Sequence, residues 1–192
     1  CTSLQDIKIP SSIKEIPSGT FAYCTSLKEA TLAKGVEKID SMAFSYCSSL
    51  EKIEIPDTVT SIGDYAFMYC EGIKEINIPK TVTSFTNGIF YGCSSLENFT
   101  VYKELENVGN YPFLGCKSMK NIEVEDGNEN YISENGVLFS SDKKILVAYP
   151  CGNGEKSYTV PDEVEEIASS AFFDNENIEE VKFGSGLKYI DE

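Results

Sequence analysis

The sequence predicts a β-rich solenoid in which short parallel strands stack at a 23-residue period, with little helix and one β-hairpin insertion. Three observations predict it. Cysteines fall at Cys1, Cys24, Cys47, Cys70, Cys93 and Cys116, so every successive interval is 23 residues. Three residues after each cysteine stands Leu4, Leu27, Leu50, Ile73, Leu96 or Met119, and the other columns repeat with it. No segment sustains the 3.6-residue apolar period of an amphipathic helix.

Each unit can be justified in order. After the leucine column come two apolar residues two apart: Ile7/Ile9, Ala30/Leu32, Ile53/Ile55, Ile76/Ile78, Phe99/Val101 and Ile122/Val124. That alternation is a short strand with one face inward. Proline follows at Pro10, Pro56 and Pro79, which suits a strand end, where no ladder donor is needed. The return side carries Ile13, Val36, Val59, Val82 and Leu105, then Ile16, Ile39, Ile62, Phe85 and Val108, as a second short strand or tight turns. The unit closes on Phe21, Phe44, Phe67, Phe90 or Phe113. One such unit cannot bury its apolar face, but stacked units bury each Leu, Ile and Phe on its counterpart one rung away. At about 4.8 Å per rung, eight rungs make a body roughly 35–40 Å long.

The chain, 1–192, is therefore a single solenoid. Its repeats are 1–23, 24–46, 47–69, 70–92 and 93–115, an irregular unit at 116–151, a repeat at 152–174 and a partial one at 175–192. In the irregular unit the apolar runs from Gly136 to Phe139 and from Ile145 to Tyr149 flank a polar turn. They read as a β-hairpin that projects from, or caps part of, the solenoid face.

Composition narrows the function. Hydrophobic residues make up 41% of the chain, enough for a continuous core. Sixteen Lys against 31 acidic residues give a net charge of −15, a surface that repels nucleic acid and anionic lipid. No apolar run reaches the ~18 residues of a membrane span. There is no His, which excludes the Ser-His-Asp triad, the Cys-His pair and HExxH metal sites. Arg is also absent, and neither common nucleotide loop occurs, so no cofactor is expected. A carboxylate enzyme such as a glycosidase would need a unique, enclosed pair, whereas solenoid columns repeat on every rung.

The pattern C-x-x-L-x-x-I-x-I-P, V-x-x-I and A-F at period 23 resembles the BspA-like bacterial leucine-rich repeats, as does the run NGVLFSSDKKILVAYP at 135–150 followed by YTVPDEVEEIASSAF at 158–172. The resemblance covers essentially the whole chain. It implies a leucine-rich repeat solenoid, secreted or attached to the cell surface, in a family some of whose members bind host matrix proteins or help cells aggregate. It carries over no catalytic motif.

Several columns are candidates for function. The six aligned cysteines suit a buried column of small apolar residues. Inter-rung disulfides are the alternative that secretion would permit, and a metal site is disfavoured without CxxC or His. Cys151 lies outside the column and is the thiol expected to be exposed or reactive if any is. Tyr23, Tyr46 and Tyr69 precede three successive cysteines, with Gly92 and Gly115 at that place later, so a short exposed tyrosine ladder is expected as edge packing or as an aromatic contact site. The outward strand residues include Lys52, Glu54, Glu75, Asn77, Asn98 and Thr100, a polar contact face without aromatic anchors. A further outward column, Lys28, Glu51, Lys74, Glu97, Lys120, alternates in sign as stack stabilisation or as a binding face. The acidic stretch 123–130 lacks the D-x-[DN]-x-[DN]-G spacing of a Ca²⁺ loop and reads as solvated. Asn98-Phe-Thr100 is a glycosylation sequon within a strand, relevant only in a eukaryotic secretory route.

These observations favour a non-enzymatic extracellular interaction module that binds a protein or glycan through its repeat surface, with a structural spacer as the alternative. The chain starts and stops inside repeats without polar caps, so end-to-end self-association is also expected.

Overall fold

The computed structural model describes residues 1–191 and is a β-solenoid of about eight turns, with no helix among the described residues. Each rung has three sides. The front side carries the longer strands β1 (Asp6–Ile9), β3 (Glu29–Leu32), β5 (Lys52–Glu54), β7 (Asn98–Val101) and β8 (Asn121–Val124), and the return side opens with the two-residue strands β2 (Glu15–Ile16), β4 (Lys38–Ile39) and β6 (Ser61–Ile62). The third side, around the A-F motif, is built of turns.

Parallel pairing follows the period without slippage. Ile7 faces Ala30, Ala30 faces Ile53, and Phe99 faces Ile122; on the return side Ile16, Ile39 and Ile62 align. Inward columns are sealed: Leu27, Ala30, Val36, Ile39, Phe44, Cys47 and Leu50 are fully buried, and Phe21, Phe44, Phe67 and Phe90 stack at centroid spacings of 5.2 to 6.2 Å. Stacking is strongest where the turn side joins rungs by backbone hydrogen bonds. Phe21 N donates to Ala43 O at 2.8 Å, Phe44 N to Ala66 O at 2.9 Å and Phe67 N to Ile89 O at 3.1 Å.

The expectation of one front strand per repeat fails at 70–92. Continuing the register would set Lys52 opposite Glu75, Ile53 opposite Ile76 and Glu54 opposite Asn77, yet residues 74–78 form no strand and pair with neither β5 nor β7. The bonds from Lys28 N to Gln5 O and from Glu51 N to Lys28 O have no counterpart at Lys74; only Glu97 N reaches back, to Lys74 O, at 3.1 Å. Side-chain volume accounts for the opening. Phe85 and Phe99 replace the isoleucine of neighbouring rungs, and both crowd Phe90, with ring centroids 5.9 and 5.3 Å from it. Tyr102 fills a place that is proline in three earlier rungs and donates its hydroxyl to Val82 O at 2.6 Å. Close-packed interiors answer such extra volume by moving backbone, and here the front side moves while the turn side holds, Tyr65 N bonding Asn87 O at 2.9 Å and Tyr69 N bonding Tyr91 O at 2.7 Å.

The hairpin neither projects nor merely caps. Strands β9 (Tyr131–Glu134), β10 (Val137–Ser140) and β11 (Ile145–Ala148) form an antiparallel sheet, and β11 continues in parallel into β13 (Glu166–Ile167) and β15 (Tyr189–Ile190), so Leu146 takes the return-side place of Ile39. On the front, β12 (Ser157–Thr159) pairs, among the described residues, only with β14 (Glu180–Lys182). The insertion thus divides the core: Val137, Phe139, Leu146, Tyr149, Val160 and Ile167 pack in a second cluster beyond the first. The acidic loop before it is tied by Asn128, whose amide donates to Tyr102 O and Leu105 O while its Oδ1 accepts from Asn130 N and Tyr131 N.

The Tyr149 hydroxyl is buried without a hydrogen-bond partner, a state that costs about 1–3 kcal/mol. Tyr149→Phe keeps the ring and removes the orphan oxygen, so thermal unfolding should move up by roughly 2–4 °C for a chain of this size. A clear fall in melting temperature would mean that the hydroxyl is satisfied in solution.

Candidate interaction surfaces

The strand-face candidates gather around the detached segment. Lys52 and Glu54 on β5, with Glu75 and Asn77, line a hollow of about 620 Å³, and Glu75 and Asn77 with Asn98 and Thr100 line another of about 380 Å³. Lys52 Nζ lies 2.7 Å from Glu54 and 3.4 Å from Glu29, which raises its pKa and holds the Glu54 carboxyl below the usual range. Lys80 pairs with Glu125 at 2.8 Å across the second hollow. The alternating charge column is less complete than its sequence suggests: Glu97 and Lys120 meet at 2.7 Å, whereas no ion pair within 4 Å joins Lys28, Glu51 and Lys74 among the described residues.

On the turn side the tyrosine ladder is present. Tyr23 and Tyr46 stack at 4.5 Å and 5°, Tyr46 and Tyr69 at 4.9 Å and 23°, and Tyr23 remains 58% exposed. All three have left-handed backbones, with φ of 61°, 59° and 55°. The turn ends there, and a left-handed residue closes it; glycine is the low-strain choice. Gly92 takes that place on the next rung, with φ of 72°, and a Cβ on it would lie 2.5 Å from the Tyr69 ring, so the ladder leans onto glycine and stops.

Sequence reasoning missed three neighbours of this strip. Tyr91 meets Tyr69 edge-on at 5.4 Å and Tyr65 at 6.4 Å, and Phe173 is 49% exposed beyond Gly115. Tyr69, Tyr91 and Phe173 line a hollow of about 330 Å³ with Glu71, Lys117 and Asp174. Burial, then a hydrogen bond with Tyr91, raises the Tyr69 pKa. Tyr65 had a signal: it occupies the second left-handed column, shared with Gly19, Met42, Gly88 and Tyr111.

All seven cysteines are free thiols. Those of the column donate to the carbonyl of the phenylalanine one rung back: Cys47 Sγ to Phe21 O, Cys70 to Phe44 O and Cys93 to Phe67 O, each at 3.1 Å. The same carbonyls accept the amide of the cysteine in their own turn, so the thiol uses the second lone pair. Cys151 corrects the expectation of an exposed odd thiol: it is only 7% exposed and donates to Phe173 O at 3.1 Å, and the exposed cysteine is Cys1. Burial pushes the Cys93 thiol up to about 12 and Cys151 up to about 11.

Among the described residues, every carboxylate whose pKa departs from its ordinary value is shifted downward. Lysine hydrogen bonds hold down Glu97, Glu125, Glu165 and Glu176, and backbone amides hold down Asp40, Asp64 and Asp162. A glycosidase acid needs the reverse shift. No group of three or more Cys, Asp or Glu side chains is placed to hold a metal among the described residues.

A model of the BspA type leucine rich repeat region matches residues 1–120, 37–145 and 149–192, in six copies. The chain belongs to the BspA-type leucine-rich repeat family. A comparison with curated proteins finds no match. Among solved structures, a leucine-rich repeat protein from Eubacterium ventriosum is similar at 25% identity and TM-score 0.84, over 97% of this chain and 49% of its own. The pneumococcal vaccine antigen PcpA is similar at 27% identity and TM-score 0.80, over 97% and 56%. A leucine rich cell surface protein from Faecalibacterium prausnitzii is similar at 25% and 0.81, over 97% and 56%. The chain thus spans about half the length of these similar structures.

The thiol geometry fixes two outcomes. At pH 8 without denaturant, a maleimide should label one cysteine, Cys1, and all seven after unfolding; rapid labelling of two or more would contradict the sealed column. The raised thiols stabilise the fold fully below their unfolded value of 9.0, and that stability should drain away as pH climbs from 9 toward 12, since only the unfolded chain then sheds its thiol protons. Urea titrations at pH 7.5 and 10.5 measure it.

Proposed function

We propose that this chain is a non-enzymatic binding module displayed at a bacterial cell surface, which holds a protein or glycan partner through the tyrosine strip and the hollowed strand face. One observation carries the reading. Tyr23, Tyr46 and Tyr69 stand at a left-handed position where Gly92 and Gly115 serve at lower backbone cost. Such strain costs of order 1–3 kcal/mol per residue, and a stack running from the exposed Tyr23 to the half-buried Tyr46 and Tyr69 is the kind of rigid, amphipathic surface that anchors interfaces. The described relatives support surface display: one is a cell surface protein and another a vaccine antigen. As the chain covers only part of those relatives, the ligand of the whole protein is a matter for experiment.

A panel of extracellular matrix proteins and cell-surface glycans, immobilised and probed with the folded chain, tests this. Saturable binding to at least one member is expected, and Tyr46→Ala should weaken it about tenfold or more, as loss of an anchor does, while leaving the melting temperature within a few degrees. Absence of binding across the panel would favour a spacer, and binding indifferent to all three tyrosines would overturn the assignment to the tyrosine strip.

A further inference from the structure

The detached segment leaves a parallel sheet open in its middle, and the open place has the attributes of a strand acceptor. Lys52 N donates to Lys28 O, so the backbone groups of Lys52 face β3; in a pleated parallel ladder those of Ile53 then face the other way, toward the seam. Nothing on the next rung receives them, because no backbone bond crosses from β5 to residues 74–78 among the described residues. The two edges look onto the hollow of about 620 Å³, which runs the length of β5 and is lined by Glu51, Lys52, Glu54 and Glu75. Three carboxylates therefore stand against one ammonium, and that ammonium is already held by Glu29 and Glu54. Beneath them lie the buried Ile53, at the floor of the hollow, and the partly exposed Ile76.

We propose that this seam binds an extended, basic peptide segment of a partner protein by strand addition to the free edge of β5. Main-chain bonds to the Ile53 amide and carbonyl give the affinity that an open sheet edge offers. Alternate residues of the guest turn inward onto Ile53 and Ile76, and those between them turn outward to Glu51, Glu54 and Glu75. The recognised segment thus alternates apolar or β-branched residues with Lys or Arg over about four to six positions. A rung already bonded on its turn side accepts the guest without unfolding, since the ladder through Tyr65, Phe67 and Tyr69 stays closed. The proposal rests on the binding-module reading in taking a protein as the partner, but the seam is lined by none of the strip's tyrosines.

The probe is the peptide acetyl-Lys-Val-Lys-Ile-Lys-Val-Lys-amide, with its Glu-for-Lys counterpart and a scrambled basic peptide as controls, read by fluorescence anisotropy and residue-resolved hydrogen exchange on the full chain. The alternating basic peptide should bind saturably, should slow exchange at residues 52–55 and 74–78, and should outbind the acidic one by at least about tenfold. Reversal in Glu51→Lys with Glu75→Lys should invert that preference. Phe85→Ile with Phe99→Ile removes the wedge, so it should protect residues 74–78 without peptide and abolish binding; should that variant fail to fold, the charge reversal and the protection map still decide. Tyr46→Ala should leave peptide binding unchanged, and peptide binding by a chain that binds nothing on the matrix and glycan panel would condemn the tyrosine strip and not the seam. No binding by millimolar peptide, equal binding of the scrambled control, protection mapped elsewhere, or a seam occupied by a second copy in sedimentation would each overturn the proposal.

Discussion

Everything in this molecule hangs on the turn-side ladder, where the phenylalanine of one rung bonds through its amide to the rung ahead and through its carbonyl to two cysteine donors. Phe44 N reaches Ala66 O, and Phe44 O accepts both the Cys47 amide and the Cys70 thiol. The rise is set there, the rings stack there, and a column of small residues seals it. A buried carbonyl with an unused lone pair is tolerable, but a thiol satisfies it while remaining apolar enough to pack. That is why the period is marked by cysteine and not by alanine or serine, and why the thiols are free despite standing in one file.

A ladder held on one side leaves freedom on the others. The front side is interrupted twice, once by aromatic bulk around Phe85 and Phe99 and once by the hairpin, and the rungs nevertheless stay in step. The interruptions are where hollows form and where strand edges are bare. The surface charges do not compensate: pairs such as Lys14–Glu37 and Lys188–Glu165 bridge rungs at 2.8 and 2.7 Å, but solvent screens such exposed pairs and leaves them little weight. Bulk inside the core, not charge outside it, decides where the face opens.

Most of the architecture was legible in the sequence, because a solenoid writes its period into every column. The cysteines gave the register, Ile7/Ile9 and their equivalents gave the front strands, and Val-Leu-Phe followed by Ile-Leu-Val-Ala gave the hairpin strands. What escaped had one physical cause: column identity says which way a residue points, not how much room it needs. Phe85 and Phe99 sit in isoleucine columns and look like conservative members of them, yet their rings dismantle the strand at 74–78. Likewise Cys151 is outside the cysteine file, but its thiol is buried and donates to the Phe173 carbonyl. The tyrosine strip was readable from spacing alone; Tyr65 depended on a left-handed turn position, and Tyr91 and Phe173 on how the turns pack, neither of which the apolar pattern carries.

The central claim is that the rungs are joined through the turn side even where the strand side is open. Residue-resolved amide exchange of the unliganded chain tests it most directly. The amides of Tyr65, Phe67 and Tyr69 should exchange as slowly as those of Phe44 and Tyr46, while those of Glu75, Ile76 and Asn77 exchange orders of magnitude faster than those of Ala30 and Thr31. Uniform protection across both sides of the 70–92 rung would contradict the account, as would fast exchange at Phe67.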